Sequence, residues 1–314
     1  MKKTLHYSPA TLLPYINWDY FFHAWSMPPR FAAVAAVHDC EACRAGWVAA
    51  LPEADVAQGR EAAKLYTDAV ALCREWEGCY EIDARFGLFP AWSEGDDICL
   101  LQDEGQELQR LPLLRMQQVK RQGDPYLCLA DFVSPHRPST TAIDQLPVEN
   151  VVGVFATAVA PEMEGRQDAD DYRRLLAQTL SDRLAEAAAE KLHEDVRRLY
   201  WGYASDEHLA VKDLFAEHYQ GRRPAVGYPS LPDQSLIFVM DRLADFGDIG
   251  IQITDNGMMM PHAAVAGLML GHPATRHFAV GPIDEQQLTD YAKRRQLPTD
   301  YLRPFLAANL RNLK

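Results

Sequence analysis

Apolar residues recur every three or four positions in two long stretches of the chain, and this spacing predicts amphipathic helices. The first covers residues 59–77 and is followed by Gly78, a residue that commonly ends helices. The second covers residues 168–201 and carries the longest apolar stripe, from Tyr172 to Leu199. An uninterrupted helix of this length would extend about 50 Å, so a bent helix or two helices end to end also fit the pattern. Shorter helices are predicted at 206–219, 232–244, 284–295 and 298–309.

Short apolar runs bounded by turn residues separate these stretches and are typical of strands. Residues 80–90 and 97–101 flank the turn at 93–96 and predict a hairpin. Further strands are expected at 127–133, 150–159, 249–254, 264–270 and 277–282. Because the strands come in runs and do not alternate regularly with helices, the pattern predicts an α+β fold with a curved, mainly antiparallel sheet flanked by helices.

The pattern also indicates how the chain is divided. We find no internal repeat and no low-complexity linker in the 314 residues, so we expect a single domain over 1–314. Aromatic residues are concentrated near the start, and their spacing suits a short helix that docks onto a core. We therefore predict that residues 1–30 form an N-terminal strap.

Charge and hydropathy exclude several classes of partner. The formal net charge is −13, from 44 acidic and 31 basic residues, which argues against nucleic acid and against an anionic membrane surface. No apolar stretch is long enough to span a membrane, and no long apolar run follows Lys2 and Lys3 as in a signal peptide. We expect a cytoplasmic protein.

The six cysteines are expected to be reduced thiols. Cys40-x-x-Cys43, with His38 before it, would make half of a zinc site. No second cysteine or histidine pair in the sequence completes such a site, so a plain loop is favoured and no metal centre is expected.

Common cofactor and catalytic motifs are absent from the sequence. It contains neither of the glycine-rich nucleotide cradles and no Gly-x-Ser-x-Gly elbow. His193-Glu194 begins like a zinc-protease helix, but Arg197 stands where the second histidine is required. Corrinoid-binding chains of the base-off type carry Asp-x-His-x-x-Gly; here His218-x-x-Gly221 is preceded by Ala216, so cobalamin is not expected to bind by that route.

The segment Arg223–Pro229 has the features of a ligand-binding loop. Its two prolines fix φ and remove backbone donors, while Gly227 can adopt positive φ. Arg223 presents a planar fork that suits a carboxylate or a phosphate. A rigid turn with a surface arginine is the simpler interpretation of these residues alone.

Several segments, in order and in spacing, resemble the activation domain of cobalamin-dependent methionine synthase. The resemblance extends from Tyr15-Ile16-Asn17-Trp18 to Ala307-Ala308-Asn309-Leu310, nearly the whole chain. The residues that carry it are Gly87-Leu88-Phe89-Pro90-Ala91, Gly95-Asp96-Asp97-Ile98, Cys128-Leu129-Ala130-Asp131-Phe132-Val133, Asp182-Arg183-Leu184-Ala185-Glu186-Ala187, Leu192-His193-Glu194, Tyr200-Trp201-Gly202-Tyr203, Tyr219-Gln220-Gly221, Arg223-Pro224-Ala225, Gly227-Tyr228-Pro229 and His272-Pro273.

The resemblance implies a function in repair. That family's domain binds S-adenosylmethionine on the concave side of its sheet. It takes part in restoring methylcobalamin from inactive cob(II)alamin, with an electron from flavodoxin or a similar donor and a methyl group from S-adenosylmethionine. The implied cofactor is therefore S-adenosylmethionine, and cobalamin would come from a partner domain or protein of methionine synthase.

The resemblance also implies roles for individual residues. Arg223 would bind the ligand carboxylate, the Ala225 backbone and Tyr228 would contact the ligand, and Glu186 would supply negative charge to it. Without the resemblance, the simpler interpretation of Glu186 is a solvated carboxylate on the surface of a helix.

Several matched positions depart from the family. Asn17 stands where the family has an aspartate, and His277 stands where it has a tyrosine. Met260 and His262 replace a tryptophan and a glycine.

Three functions follow as hypotheses. The first is a reactivation module without a complete active site of its own, acting in trans or as an excised domain. The second is a ligand-free interaction protein that caps a corrinoid protein. Asn17, His277 and the methionine loop at 258–264 favour it. The third is a methyltransferase acting on a small substrate, which ranks last because no general base is evident.

Overall fold

A curled antiparallel sheet organises the part of the chain that the structure describes. The computed structural model describes residues 1–101, 107–118, 121–165 and 168–310. Its strands are β1 (Lys2–Tyr7), β2 (Ile82–Glu94), β3 (Asp97–Leu101), β4 (Glu107–Pro112), β5 (Val151–Val159), β6 (Gln252–Ile253), β7 (Met259–Met260) and β8 (Ala264–Leu270). The main sheet has the order β4-β3-β2-β5-β8, and β1 pairs with the first half of β2. All of these pairings are antiparallel, as predicted.

The helices cover both faces of this sheet. They are α1 (Pro9–Leu12), α2 (Trp18–Ala24), α3 (Glu41–Ala49), α4 (Val56–Trp76), α5 (Asp171–Asp195), α6 (Val211–Phe215), α7 (Ile237–Ala244), α8 (Glu285–Arg295) and α9 (Thr299–Leu302). The long helix predicted from the apolar stripe is confirmed as α5, which continues into a π-helical turn at Val196–Tyr200. In the described residues, no helix is both long enough and apolar enough to cross a membrane.

Strand β5 lies at the centre of the core and is buried along its whole length. Because successive side chains of a strand point to opposite faces, Phe155 packs with residues of α4 and α5, while Val154 and Ala156 pack with residues of α7. A strand buried on both faces needs a continuous apolar run, which explains why residues 150–159 are so easily recognised in the sequence.

Two strand predictions are wrong. Residues 127–133 contain a 3-10 helix, Leu129–Phe132, because the Asp131 carboxylate accepts the Cys128 N–H at 2.8 Å and fixes a cap there. Residues 277–282 form no strand in the structure as described. Gly281 adopts a φ of 71°, and the Val280 N–H bonds to Pro229 O instead of to a strand partner.

Three further elements are shorter than predicted. Within 206–219 only α6 is α-helical, because Glu217 adopts a φ of 55° and ends the turn. Within 249–254 only β6 is extended, because Gly250 adopts a φ of 74°. Within 298–309, α9 gives way to the 3-10 helix Pro304–Leu306, since proline has no N–H with which to continue the helix.

Candidate functional site

An open cavity of about 750 Å³ lies between α5, the outer edge of β8 and residues 15–20 near the N-terminus. We call it the α5–β8 cavity. Its walls include Phe155 of β5, Val265 of β8 and Phe215 of α6. The six residues singled out from the sequence all line it: Asn17, Glu186, Arg223, Ala225, Tyr228 and His277.

The chain segment at residues 222–226 extends the sheet along the free edge of β8. The Arg222 N–H bonds to Leu270 O, the Leu268 N–H to Pro224 O and the Val226 N–H to Ala266 O, each at 2.9 Å. Because peptide groups alternate in direction along an extended chain, the N–H of Ala225 points away from β8. That N–H has no hydrogen-bond partner within the described residues.

Gly267 permits this close pairing, because a Cβ there would lie 2.3 Å from Pro224 O. We expect Gly267→Ala to push the segment off β8 and to lower the free energy of unfolding by about 1–3 kcal/mol. Equilibrium urea denaturation measures this loss. Gly247→Ala is the control, since a Cβ at that position meets nothing within 4 Å. Equal stability of the Gly267→Ala variant and the wild type would contradict the proposed steric role.

Arg223 is held at the wall of the cavity by two side chains. Its Nη2 donates to Glu190 Oε2 at 2.7 Å, and its Nη1 donates to the Tyr219 hydroxyl at 3.0 Å. Burial alone would lower the pKa of the Arg223 guanidinium, but the Glu190 carboxylate raises it above its usual range. The guanidinium therefore remains charged. The side chain is 21% exposed, so it is accessible from the cavity.

Glu190 is the residue that fixes Arg223, and it was not singled out from the sequence. Its carboxylate is 7% exposed, and its Oε1 is buried with no hydrogen-bond partner within the described part of the chain. It lies four positions after Glu186, on the same face of α5. That spacing was the available sequence signal for Glu190. Tyr219 belongs to a segment that carries the family resemblance, although no role was assigned to it, and Glu217 gave no signal.

Carboxylates outnumber guanidinium groups in the described lining of the cavity. Glu186, Glu190 and Glu217 face Arg183 and Arg223, which leaves an excess of one negative charge. Such a lining favours a ligand that carries positive charge in addition to the group that pairs with Arg223.

Tyr228 and Glu186 meet across the mouth of the cavity. The Tyr228 hydroxyl donates to Glu186 Oε1 at 3.1 Å. The charge of Glu186, together with partial burial, raises the pKa of Tyr228 to about 12. The phenol is therefore neutral at physiological pH and donates a hydrogen bond to the carboxylate.

Replacing Glu186 by glutamine is expected to move the pKa of Tyr228 from about 12 toward its usual value of 10.0, because the main cause of the shift is the Glu186 charge. The contribution of the pair to stability should be complete below pH 10 and should be lost as the pH rises toward 12. Ultraviolet titration of the phenol measures this, with Tyr228→Phe in both backgrounds identifying the signal. An unchanged titration in Glu186→Gln would contradict the assignment.

Asn17 and His277 have partners of their own at the cavity. The Asn17 Oδ1 accepts the Asp19 N–H at 3.1 Å and caps α2. His277 Nε2 lies 2.7 Å from Glu217 Oε1, and this hydrogen bond lowers the pKa of the Glu217 carboxyl. Both side chains are therefore bonded within the protein, and neither supplies a negative charge to the cavity.

A buried cluster supports Arg223 from behind. The ring of Tyr219 lies 4.0 Å from the Arg197 guanidinium carbon and meets the His193 ring edge-on at 5.1 Å. Arg197 is fully buried and pairs with Glu207, with Nη2 donating to Oε1 at 2.5 Å. Burial lowers the pKa of His193 well below its usual value, so that side chain is neutral. The position of the Tyr219 hydroxyl thus depends on residues that do not line the cavity.

The fold and the cavity define an α+β domain with a small-molecule cavity beside the edge of its sheet. The chain belongs to the family described as vitamin B12 dependent methionine synthase, activation domain, whose model matches residues 9–296. It is similar to a crystal structure of the MetH reactivation domain bound to AdoHcy. That structure has a TM-score of 0.84 and 32% sequence identity, over 99% of this chain and 90% of the other.

Proposed function

We propose that this chain, as a single domain over 1–314, binds S-adenosylmethionine in the α5–β8 cavity. We further propose that it supports reductive remethylation of cob(II)alamin carried by a cobalamin-binding domain or protein of methionine synthase. The observation that carries the proposal is the position of Arg223, charged and accessible at the wall of a cavity whose lining has an excess of carboxylates. Membership of the activation-domain family supports it.

The amino-acid end of the ligand fits the Arg223 side of the cavity. A guanidinium recognises a carboxylate by charge-assisted, often bidentate, hydrogen bonds. The N–H of Ala225 lies two residues further along the same extended segment and offers a neutral donor to the same group. The guanidinium is held by Glu190 and Tyr219, and the Ala225 N–H is held by the pairing of its segment with β8, so little conformational entropy is lost on binding.

The cationic groups of the ligand fit the carboxylates of the lining. An ammonium and a sulfonium are attracted by the carboxylates of Glu186 and Glu217, which line the cavity. Aromatic faces also attract cations, and Tyr20, Tyr228 and Phe215 lie around the cavity. The volume of about 750 Å³ is within the range of about 300–1,000 Å³ typical of small-molecule sites.

The similar solved structure supports this choice of ligand. Its bound AdoHcy is S-adenosylhomocysteine, the molecule that remains when S-adenosylmethionine has given up its methyl group. The transferred methyl group and one electron together convert cob(II)alamin to methylcobalamin. The chain's own part is to bind and orient the methyl donor.

The remaining components come from elsewhere. The chain lacks the Asp-x-His-x-x-Gly motif, so the cobalamin belongs to a partner, and a flavodoxin-like protein is the proposed electron donor. We propose that the partner docks over the mouth of the cavity, where Tyr20 is 61% exposed and Tyr228 is 51% exposed. The chain would act in trans or as one domain of a larger enzyme, in the cytoplasm.

A reactivation assay tests this function. The chain is mixed with a methionine synthase cobalamin domain in the cob(II)alamin form, a one-electron chemical reductant and S-adenosylmethionine, and the cobalamin spectrum is followed. We expect methylcobalamin to form only when both the chain and S-adenosylmethionine are present. Formation at the same rate without the chain would contradict the proposal.

The second candidate is a ligand-free protein that caps a corrinoid protein. The observation that favours it is Asn17, an uncharged residue whose side-chain oxygen already caps α2. A pull-down of the cobalamin domain that is strong and indifferent to S-adenosylmethionine, together with a negative reactivation assay, would support this candidate over the first.

A further inference from the structure

A second cluster of reactive side chains lies at the start of α3, and none of its members lines the α5–β8 cavity. His38, Cys40 and Cys43 each offer one ligand atom, and these three atoms lie within 4.8 Å of one another. The sequence alone favours a plain loop here, because no second pair of ligands follows. The structure adds that the histidine is on the same side as both sulfurs.

The backbone around Cys40 holds this arrangement. Cys40 is the N-cap of α3, and its Sγ accepts the Cys43 N–H at 3.1 Å. The Cys40 N–H bonds back to His38 O at 2.7 Å, which closes a tight turn between the imidazole and the first sulfur. An amide that donates to a thiolate sulfur stabilises its negative charge, which is the form that binds metals.

Asp39 anchors the same loop from its other side. Its two carboxylate oxygens pair separately with Arg44 of α3 and Arg74 of α4. The loop is therefore tied to two helices, and the residues on either side of Asp39 are pre-positioned. The two arginines are neutralised in part by this carboxylate, which limits their repulsion of a cation.

We propose that His38, Cys40 and Cys43 bind one Zn²⁺ ion, with water as the fourth ligand. Two sulfurs and one imidazole nitrogen suit zinc, whereas Mg²⁺ and Ca²⁺ require oxygen ligands. Zinc–sulfur bonds of about 2.3 Å in a tetrahedron place ligand atoms roughly 3.8 Å apart. The observed cluster needs only a small side-chain closure to reach this geometry.

The exposure of the ligands is consistent with such a site. Cys43 is exposed and Cys40 is partly exposed, so an ion can enter from solvent and a water molecule can complete its coordination. The site is separate from the α5–β8 cavity, so this proposal stands or falls independently of S-adenosylmethionine binding.

Cobalt substitution tests the site. The reduced, metal-free chain is titrated with Co²⁺, and Zn²⁺ is then added in competition. We expect one Co²⁺ per chain, a thiolate-to-cobalt charge-transfer band, tetrahedral d–d bands, and displacement by one equivalent of Zn²⁺. Loss of an outer-shell partner weakens metal binding by roughly 10- to 100-fold, and loss of a ligand should weaken it at least as much. We therefore expect Cys43→Ser to weaken Zn²⁺ binding by about 100-fold or more and His38→Gln to weaken it by about 10-fold or more.

Cys79→Ser is the matched control, because Cys79 is the other exposed cysteine in the described part of the chain. Its Zn²⁺ affinity should equal that of the wild type, and circular dichroism should show that every variant is folded. Two results would overturn the proposal. One is the absence of a thiolate-to-cobalt band with both thiols reduced, and the other is an equal loss of affinity in Cys79→Ser and Cys43→Ser.

Discussion

Replacing Arg223 by alanine is expected to weaken S-adenosylmethionine binding by about 2–5 kcal/mol, roughly 30-fold to several thousand-fold. The guanidinium is the one cationic group placed both at the cavity wall and beside the outward-facing Ala225 N–H in the described residues. Without it, the lining keeps three carboxylates, Glu186, Glu190 and Glu217, against the single guanidinium of Arg183, so the ligand carboxylate would face an excess of negative charge. Isothermal titration calorimetry measures the change in Kd.

A second substitution separates binding from folding. Arg223→Ala also leaves the Glu190 carboxylate buried without its cationic partner, which by itself is destabilising. Arg223→Lys retains a charge near Glu190 but loses the planar fork, so it should fold well and bind about 10-fold more weakly. Arg303→Ala, at a surface arginine that is not among the lining residues, is the control and should bind normally. Wild-type affinity in both Arg223 variants would remove this residue from the site.

Replacing Arg197 by alanine is expected to lower the free energy of unfolding by about 3–5 kcal/mol. Arg197 is fully buried, pairs with Glu207 and covers one face of the Tyr219 ring. Its removal leaves Glu207, which is 11% exposed, without its partner and opens a cavity behind Tyr219. Urea denaturation followed by circular dichroism measures the loss.

The control for this prediction is an exposed pair of the same chemistry. Arg173 is 43% exposed and pairs with Glu75, so Arg173→Ala should cost less than about 1 kcal/mol. A double replacement, Arg197→Met with Glu207→Leu, removes both charges and should be less destabilising than Arg197→Ala alone. A loss in Arg197→Ala no larger than that in Arg173→Ala would show that the buried pair contributes little.

The sequence predicted those elements whose patterns are long or extreme. Helix α5 was recognisable from an apolar stripe that repeats over about seven turns. Strand β5 was recognisable from a continuous apolar run, which is needed because both faces of the strand are buried. Strand β1 was not predicted, because it pairs only with the first half of β2 and Tyr7 is its one buried residue. Residues 127–133 are mostly buried and apolar but contain a 3-10 helix, and short apolar runs do not distinguish these states.

The site residues came from the family resemblance and not from periodicity. Arg223 and Tyr228 lie in one rigid segment that chemistry alone would have assigned to a surface turn. Glu190 was within reach of pattern analysis, because it follows Glu186 by four positions on a helix. Glu217 could not be found by pattern analysis. It adopts a left-handed backbone conformation, and the sequence does not indicate this because the position is neither a glycine nor an asparagine.

Calorimetric titration of S-adenosylmethionine into the wild-type chain measures whether the α5–β8 cavity binds this ligand. We expect a single saturable site, one ligand per chain, that S-adenosylhomocysteine also occupies in competition. No heat of binding at millimolar ligand, from a chain whose fold is verified by circular dichroism, would contradict it.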